Sequence, residues 1–451
     1  MLFRKKLLVF PTSRSIRNFI STQKSSNTLL PFTLTIDELF KKSINLNNMK
    51  YCEEEQRVLF LSEAIKNTNI QKLGISDNFT KFLKQSDYIY RFFLELASEK
   101  VEIKDIQNVD TYDFYLEHLQ ILETIKTNYI NILEKNSYVD KINLDNHYKI
   151  NENFLKKFEE IELHFEGYFT KVEFEIVEKI SKFINVKINF YSNTYNQRSL
   201  EVFKNMNIDL KIDFNYKIDL TNKLVLQEEK NKKNLQSLEI KGFSSRLNQI
   251  AYIKDSIVKS VQKGVNPSRI ALVLPDETFA SYIQLFDTEK YFNYAMGKTI
   301  KNTNLYQVAY AIYSYLSEDD IKHISNLDFL KLDKNFIDKN IKSIWNKKAS
   351  KENFEFISDF IKSKDDSAEL LEKYDELLYK LNIIVFSNDN VILLKDVYKI
   401  FLQKLVKLTL DDINSGKVTV LGLLETRAVE FDTVIICDFN ESFIPKISVK
   451  D

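Results

Sequence analysis

The sequence predicts an α/β protein with two parallel-sheet domains, each interrupted by a helical insertion. Three observations predict it. Short apolar runs of strand length recur in both halves, at 7–10, 186–191, 270–274, 418–421 and 434–436. Helix-spaced segments alternate with them, which is the pattern of a parallel sheet with crossover helices. Two long stretches, 53–133 and 305–408, carry helical spacing without such runs and read as all-α insertions.

In the first half, Leu7-Leu8-Val9-Phe10 is a buried strand that ends in Pro11-Thr12-Ser13, a polar loop. A helix begins near Ser15, with Ser13 or Ser15 as its cap. The next strand and its loop lie in Leu30-Pro31-Phe32-Thr33-Leu34-Thr35-Ile36-Asp37. The insertion follows, with Leu59, Leu61, Ala64, Ile65, Phe82, Leu83, Tyr90, Phe93, Leu94 and Leu96 at helical spacing. Tyr88, Tyr90, Phe92 and Phe93 read as helix core; base stacking is the alternative. Ile161-Glu162-Leu163-His164-Phe165 alternates apolar with polar, as a strand with one buried face does. A helix over 171–183 and a strand over 186–191 complete this half.

The charge-rich stretch 227–233 marks the boundary between halves. Residues 238–241 read as a strand, 245–262 as a helix stopped near Gly264, and 270–274 as a strand. After the second insertion, 418–421 and 434–436 return to the sheet. Between them lies a polar loop holding Glu425, Thr426, Arg427 and Glu430. Charged groups at strand ends are how open α/β sheets build ligand sites.

Lys plus Arg and Asp plus Glu both number 64, so the net charge is zero. A protein that grips nucleic acid through its overall field is usually basic, so any such contact here must be local or supplied by a partner. Cys52 and Cys437 give neither a disulfide framework nor a zinc spacing. The four histidines are scattered. The apolar run after Arg4-Lys5-Lys6 breaks at Pro11, too short for a signal-peptide core, and no membrane-length apolar stretch occurs. A cytoplasmic location and no membrane partner are the expectation.

The late segment Gly422-Leu423-Leu424-Glu425-Thr426-Arg427, then Phe431-Asp432-Thr433-Val434-Ile435-Ile436, then Asn440-Glu441 and Pro445, resembles a late motif of superfamily 1 (UvrD-like) helicases. It is most similar to the AddB family, the helicase-like subunits of AddAB helicase–nucleases. Leu7 to Arg14 stands where the first nucleotide-binding motif would be. His164-Phe165-Glu166-Gly167-Tyr168-Phe169-Thr170 is similar to a shortened form of the family's acidic "G-F" segment. Residues 270–275 and 294–297 match later landmarks, in the same order. The resemblance implies two RecA-like domains. The first would span 1–50 and 151–226, with a helical insertion at 51–150. The second, incomplete, would span 236–300 and 409–451, with an insertion at 301–408. It further implies DNA break repair and recombination, DNA and an AddA-like helicase–nuclease subunit as partners, and ATP and magnesium as the family's cofactors.

The residues depart from the family's chemistry at the first motif. A phosphate loop needs glycine amides, a lysine and a magnesium-binding hydroxyl. Pro11-Thr12-Ser13-Arg14-Ser15 has no glycine and no Gly-Lys pair. Thr12, Ser13, Arg14 and Glu166 are thus a degenerate nucleotide site. Arg14 can meet an anion, and Thr12 or Ser13 can cap a helix. Glu166 reads as a fold remnant, with residual nucleotide binding as the alternative. Gly297-Lys298-Thr299 imitates part of a phosphate loop, but the glycine required five residues earlier is Phe292. It reads as a turn. No cofactor is expected in this chain.

For the late loop the resemblance implies a face toward single-stranded DNA. Thr426 and Arg427 then contact phosphate, beside Glu425 and Glu430. The alternative is an internal ion pair of Arg427 with Glu425 or Glu430, because acids repel phosphate. The family's PD-(D/E)XK nuclease domain lies beyond the late motif. Glu239-Ile240-Lys241 and Glu102-Ile103-Lys104 copy only one of its elements, without an upstream acidic strand. The expectation is a truncated or split subunit without nuclease or ATPase activity. An active helicase with an atypical phosphate loop and a scaffold that never meets DNA are the rival readings.

Overall fold

The computed structural model describes residues 5–23, 29–66, 68–76, 79–107, 115–231, 237–317, 321–386, 392–410, 417–426, 429–441 and 443–444. The fold is mixed α/β, with mostly parallel strand pairing. The chain divides into two compact units. One holds Met1–Asn45, Lys149–Gly297 and Asp411–Asp451; the other holds Leu46–Tyr148 and Lys298–Leu410.

The first unit contains both main sheets. The larger has six strands in the order Leu224–Lys230, Phe214–Asp219, Asn185–Tyr191, Glu160–Phe165, Lys6–Phe10, Phe32–Thr35. The last four are parallel to one another, and the first two are antiparallel additions. Alternation decides what each face does. Ile161, Leu163 and Phe165 are buried together with Val186, Ile188 and Phe190. Glu160, Glu162 and His164 point to the opposite face and meet Lys6, Lys187, Asn189 and Lys217. The Glu160–Phe165 and Asn185–Tyr191 strands therefore carry one polar face, where purely parallel sheets usually bury both, while Leu8 and Phe10 bury the corresponding face of Lys6–Phe10.

The smaller sheet is wholly parallel, in the order Phe292–Tyr294, Val418–Gly422, Ile270–Leu274, Thr433–Ile436. Every residue of Ile270–Leu274 is buried, as a central strand with both faces covered requires. The Arg246–Gln262 helix leads into it, and Ile250 and Ile253 pack in the same core. Gly264 takes φ +92° after that helix and closes it.

Residues 238–241 are not a strand. Leu238 and Ile240 are 74% and 84% exposed, and Glu239 is held by Lys241 and by the Tyr252 hydroxyl. Two apolar residues without a core to enter do not make a strand. The charge-rich stretch also differs from the expected boundary, because Gln227–Lys230 belong to the outermost strand, Leu224–Lys230, of the larger sheet. The rest of that stretch, apart from Asn231, lies outside the described residues.

The second unit joins helices from two distant parts of the sequence. The Ala368–Phe386 helix packs on Glu54–Ala64, and Leu394–Leu405 packs on Phe79–Ser98. Lys404 and Glu54 pair at 3.2 Å across this junction. Tyr90 and Phe93 are core, Phe92 is half-buried, and Tyr88 is exposed. Among the described residues, no helix is long and apolar enough to cross a membrane.

Candidate functional site

The loop after the Lys6–Phe10 strand closes on itself. Of the residues expected to cap the helix, Thr12 rather than Ser13 or Ser15 takes the role for Ser13–Thr22. The Ser15 amide donates to Thr12 Oγ1 at 3.2 Å, and the Thr12 amide donates to Ser15 Oγ at 3.1 Å. A reciprocal box of this kind satisfies helix-start donors that an anion would otherwise accept from. Ser13 is exposed beside it. Arg14 is half-buried, and among the described residues its buried Nη1 has no hydrogen-bond partner. Burial lowers the Arg14 pKa from its ordinary value, Arg17 lowers it further, and the charge of Glu425 opposes both.

Glu425 comes from the other sheet, from the turn after Val418–Gly422. The fold thus brings the first loop and the late loop within electrostatic reach. Gly422 explains how Glu425 is seated. A Cβ placed there would collide with Glu425 Oε2 and would lie 2.5 Å from Glu277 Oε1. The missing side chain leaves room for both carboxylate ends at this strand end, and a larger residue would make them shift. Glu277 follows the neighbouring Ile270–Leu274 strand, after Pro275 and Asp276. Its pKa is raised by burial, then by Glu425 and Asp276. Among the described residues, the buried Glu425 Oε2 has no hydrogen-bond partner.

The rest of the late loop is less available than its composition implies. Thr426 Oγ1 donates to Leu423 O at 2.7 Å, within the turn itself. Glu430 is exposed, and its charge acts on Arg269, whose direct partner is Asp432 at 2.8 Å. Arg427 lies outside the described residues, and so does any ion pair it makes. Glu166 is exposed after Glu160–Phe165, next to Gly167 at φ +102°.

Sequence reasoning missed Arg246. It opens the Arg246–Gln262 helix, and its Nη2 lies 3.2 Å from Asp276 Oδ2 and 2.9 Å from Asp438 Oδ2. It therefore clips together the ends of the Ile270–Leu274 and Thr433–Ile436 strands. Its guanidinium also lies over the Phe279 and Tyr282 rings, 5.2 and 5.1 Å from their centroids. The available signal was positional: Asp276, Glu277 and Asp438 all follow parallel strands, where ligand sites gather.

These residues do not fit a magnesium triphosphate. The Thr12 and Ser15 amides of the first loop are engaged by their reciprocal box, and the loop has neither glycine nor lysine. Its one cation, Arg14, sits within the field of Glu425. The imitation at 297–299 is structural: Gly297 turns at φ +78°, and Lys298–Thr299 pairs with Thr409–Leu410. Of the nuclease-like tripeptides, Glu239 pairs with Lys241 at 2.9 Å and Glu102 with Lys126 at 2.8 Å. No family model and no curated protein matches the chain.

Proposed function

We propose that this chain is an AddB-like subunit of a DNA break-repair machine, built on two RecA-like halves but without a working ATPase. It holds single-stranded DNA and docks an AddA-like helicase–nuclease partner. One observation carries the reading: where the ordered motifs call for a phosphate loop, a Thr12–Ser15 capping box closes the turn. A triphosphate needs a cradle of open amides, and the box takes up two of the amides of this turn, which supports the reading. The order of the sequence motifs and the parallel strands of both sheets support the rest of the reading.

The test is DNA-stimulated ATP hydrolysis by the purified chain. No turnover is expected. Robust turnover that Arg14→Ala abolishes would overturn the proposal.

A second reading, a protein scaffold that does not meet DNA, is favoured by one feature. Asp276, Glu277, Glu425 and Asp438 gather at the carboxyl end of the smaller sheet, and acids repel phosphate. A titration with single-stranded DNA at low salt separates the two. Absence of binding there supports the scaffold.

A further inference from the structure

A pocket of about 440 Å³ lies at the other end of the larger sheet. Lys157 stands three residues before the Glu160–Phe165 strand, whereas Arg14 follows the end of its parallel neighbour Lys6–Phe10. The pocket walls include Lys41, Lys42 and Lys157, together with Asn45, Asn153 and Phe154. Among the described residues, no carboxylate lines it. The three lysines are exposed, and among the described residues none of them forms an ion pair. Glu38, whose charge reaches Lys42, is bound to Thr35 at the opposite end of the same helix.

The walls are built rather than casual. Asn151 Nδ2 donates to Lys42 O at 3.0 Å, and the Asn151 amide donates to Ser43 O at 2.8 Å. The Phe154 amide donates to Asn151 Oδ1 at 3.3 Å. Asn151 therefore clamps the end of the Ile36–Ser43 helix to the start of Glu152–Leu155. The Ile44–Asn45 and Lys149–Ile150 strands pair alongside. Phe154 is half-buried and packs edge-on against Phe158 at 5.5 Å.

Lysines in the last turn of a helix offset its dipole, which accounts for Lys41 and Lys42. It does not account for Lys157, for two exposed asparagines or for an aromatic wall in the same pocket. Cations suit phosphate, amides suit base edges, and an aromatic face suits a base ring. The volume lies within the range of small-ligand sites.

We propose that this pocket binds a nucleotide, with its phosphate among Lys41, Lys42 and Lys157 and its base against Phe154, Asn45 and Asn153. The nucleotide is either free or one unit of a single strand. The inference stands apart from the late loop and from the proposed function, because it uses none of their residues.

The test is fluorescence titration of the full chain with thymidine monophosphate, a short oligothymidylate and inorganic phosphate, over a series of salt concentrations. Saturable binding of both thymidine probes, weakening as salt rises, is expected. Tightening with strand length identifies the strand as the source, and equal affinity identifies the free nucleotide. The Lys41→Gln/Lys157→Gln variant changes exposed side chains only, and an unchanged melting curve will confirm its fold. Its salt slope for the oligothymidylate should fall by about 1.4, about 0.7 per lysine removed. An unchanged slope, no binding at low salt, or inorganic phosphate competing as well as the nucleotide would each overturn the proposal. A loss confined to Thr426→Ala would instead bear on the late loop and leave this site refuted.

Discussion

Asp140 is wholly buried and is answered on every side. The Tyr90 hydroxyl donates to Oδ1 at 2.7 Å, the Tyr129 hydroxyl donates to Oδ2 at 2.5 Å, and Arg57 Nε lies 3.4 Å from Oδ2. A buried charge is tolerable only while such partners remain. Asp140→Ala is expected to destabilise the protein by about 3–5 kcal/mol in urea unfolding, because it leaves Arg57 uncompensated. Tyr129→Phe removes one donor and should cost about 1–2 kcal/mol. Nothing local marks Asp140 as special; its partners come from three separate helices. The cap at Thr12 was more legible. A polar loop before a helix announces a cap, but which residue takes the role is decided by Ser15, which returns the bond. Thr12→Ala should cost about 1 kcal/mol, read from the same unfolding curves. The two late-loop acids differ in fate for a similar reason. Glu425 is drawn across Gly422, and Glu430 stays in solvent.

The Glu160–Phe165 strand shows how far a pattern reaches. Its alternation foretells one apolar and one polar face, and that is the arrangement seen. The pattern does not name the polar partners, which lie on three other strands. Burial pushes the Glu162 pKa up, but bonds from Lys6, Asn189 and Lys217 outweigh it and hold the group down at about 2, against an ordinary 4.5. A carboxylate lowered in the folded state adds stability above its unfolded pKa and loses it as acid protonates the folded form. Stability should therefore fall between about pH 4.5 and pH 2, and this part of the slope should vanish in Glu162→Gln. Urea midpoints measured across that range will check it. The outermost strand, Leu224–Lys230, is exposed along its whole length. Its charged end, Glu228, Glu229 and Lys230, led sequence reasoning to place a boundary there, yet charges are also how edge strands resist unwanted pairing. Residues 238–241 erred in the other direction: alternation without a core to face does not hold a strand.

At the scale of the whole molecule, charge balance limits what the protein can bind. With 64 basic and 64 acidic residues, it has no net field to gather nucleic acid. Any contact must come from local patches such as the lysine-lined pocket, and the acids at the end of the smaller sheet work against contact there. Under the proposed function, log affinity for single-stranded DNA should fall linearly with log salt. The slope should be shallow, about 0.7 for each phosphate contacted. A filter-binding series over salt will measure it, and a steep slope would point to a broad basic face that the composition does not supply.

The sequence by itself determined the α/β class, the alternation within strands and a first loop, Pro11 to Ser15, that holds neither glycine nor a Gly-Lys pair. These depend on neighbours within a few residues, where backbone geometry and period act directly. Only the tertiary structure decided that two insertions far apart in the chain share one compact unit. It alone set Arg14 in the field of Glu425, and Arg246 between Asp276 and Asp438. Such pairings join residues tens to hundreds of positions apart, and no local periodicity carries the identity of a partner that only packing brings near.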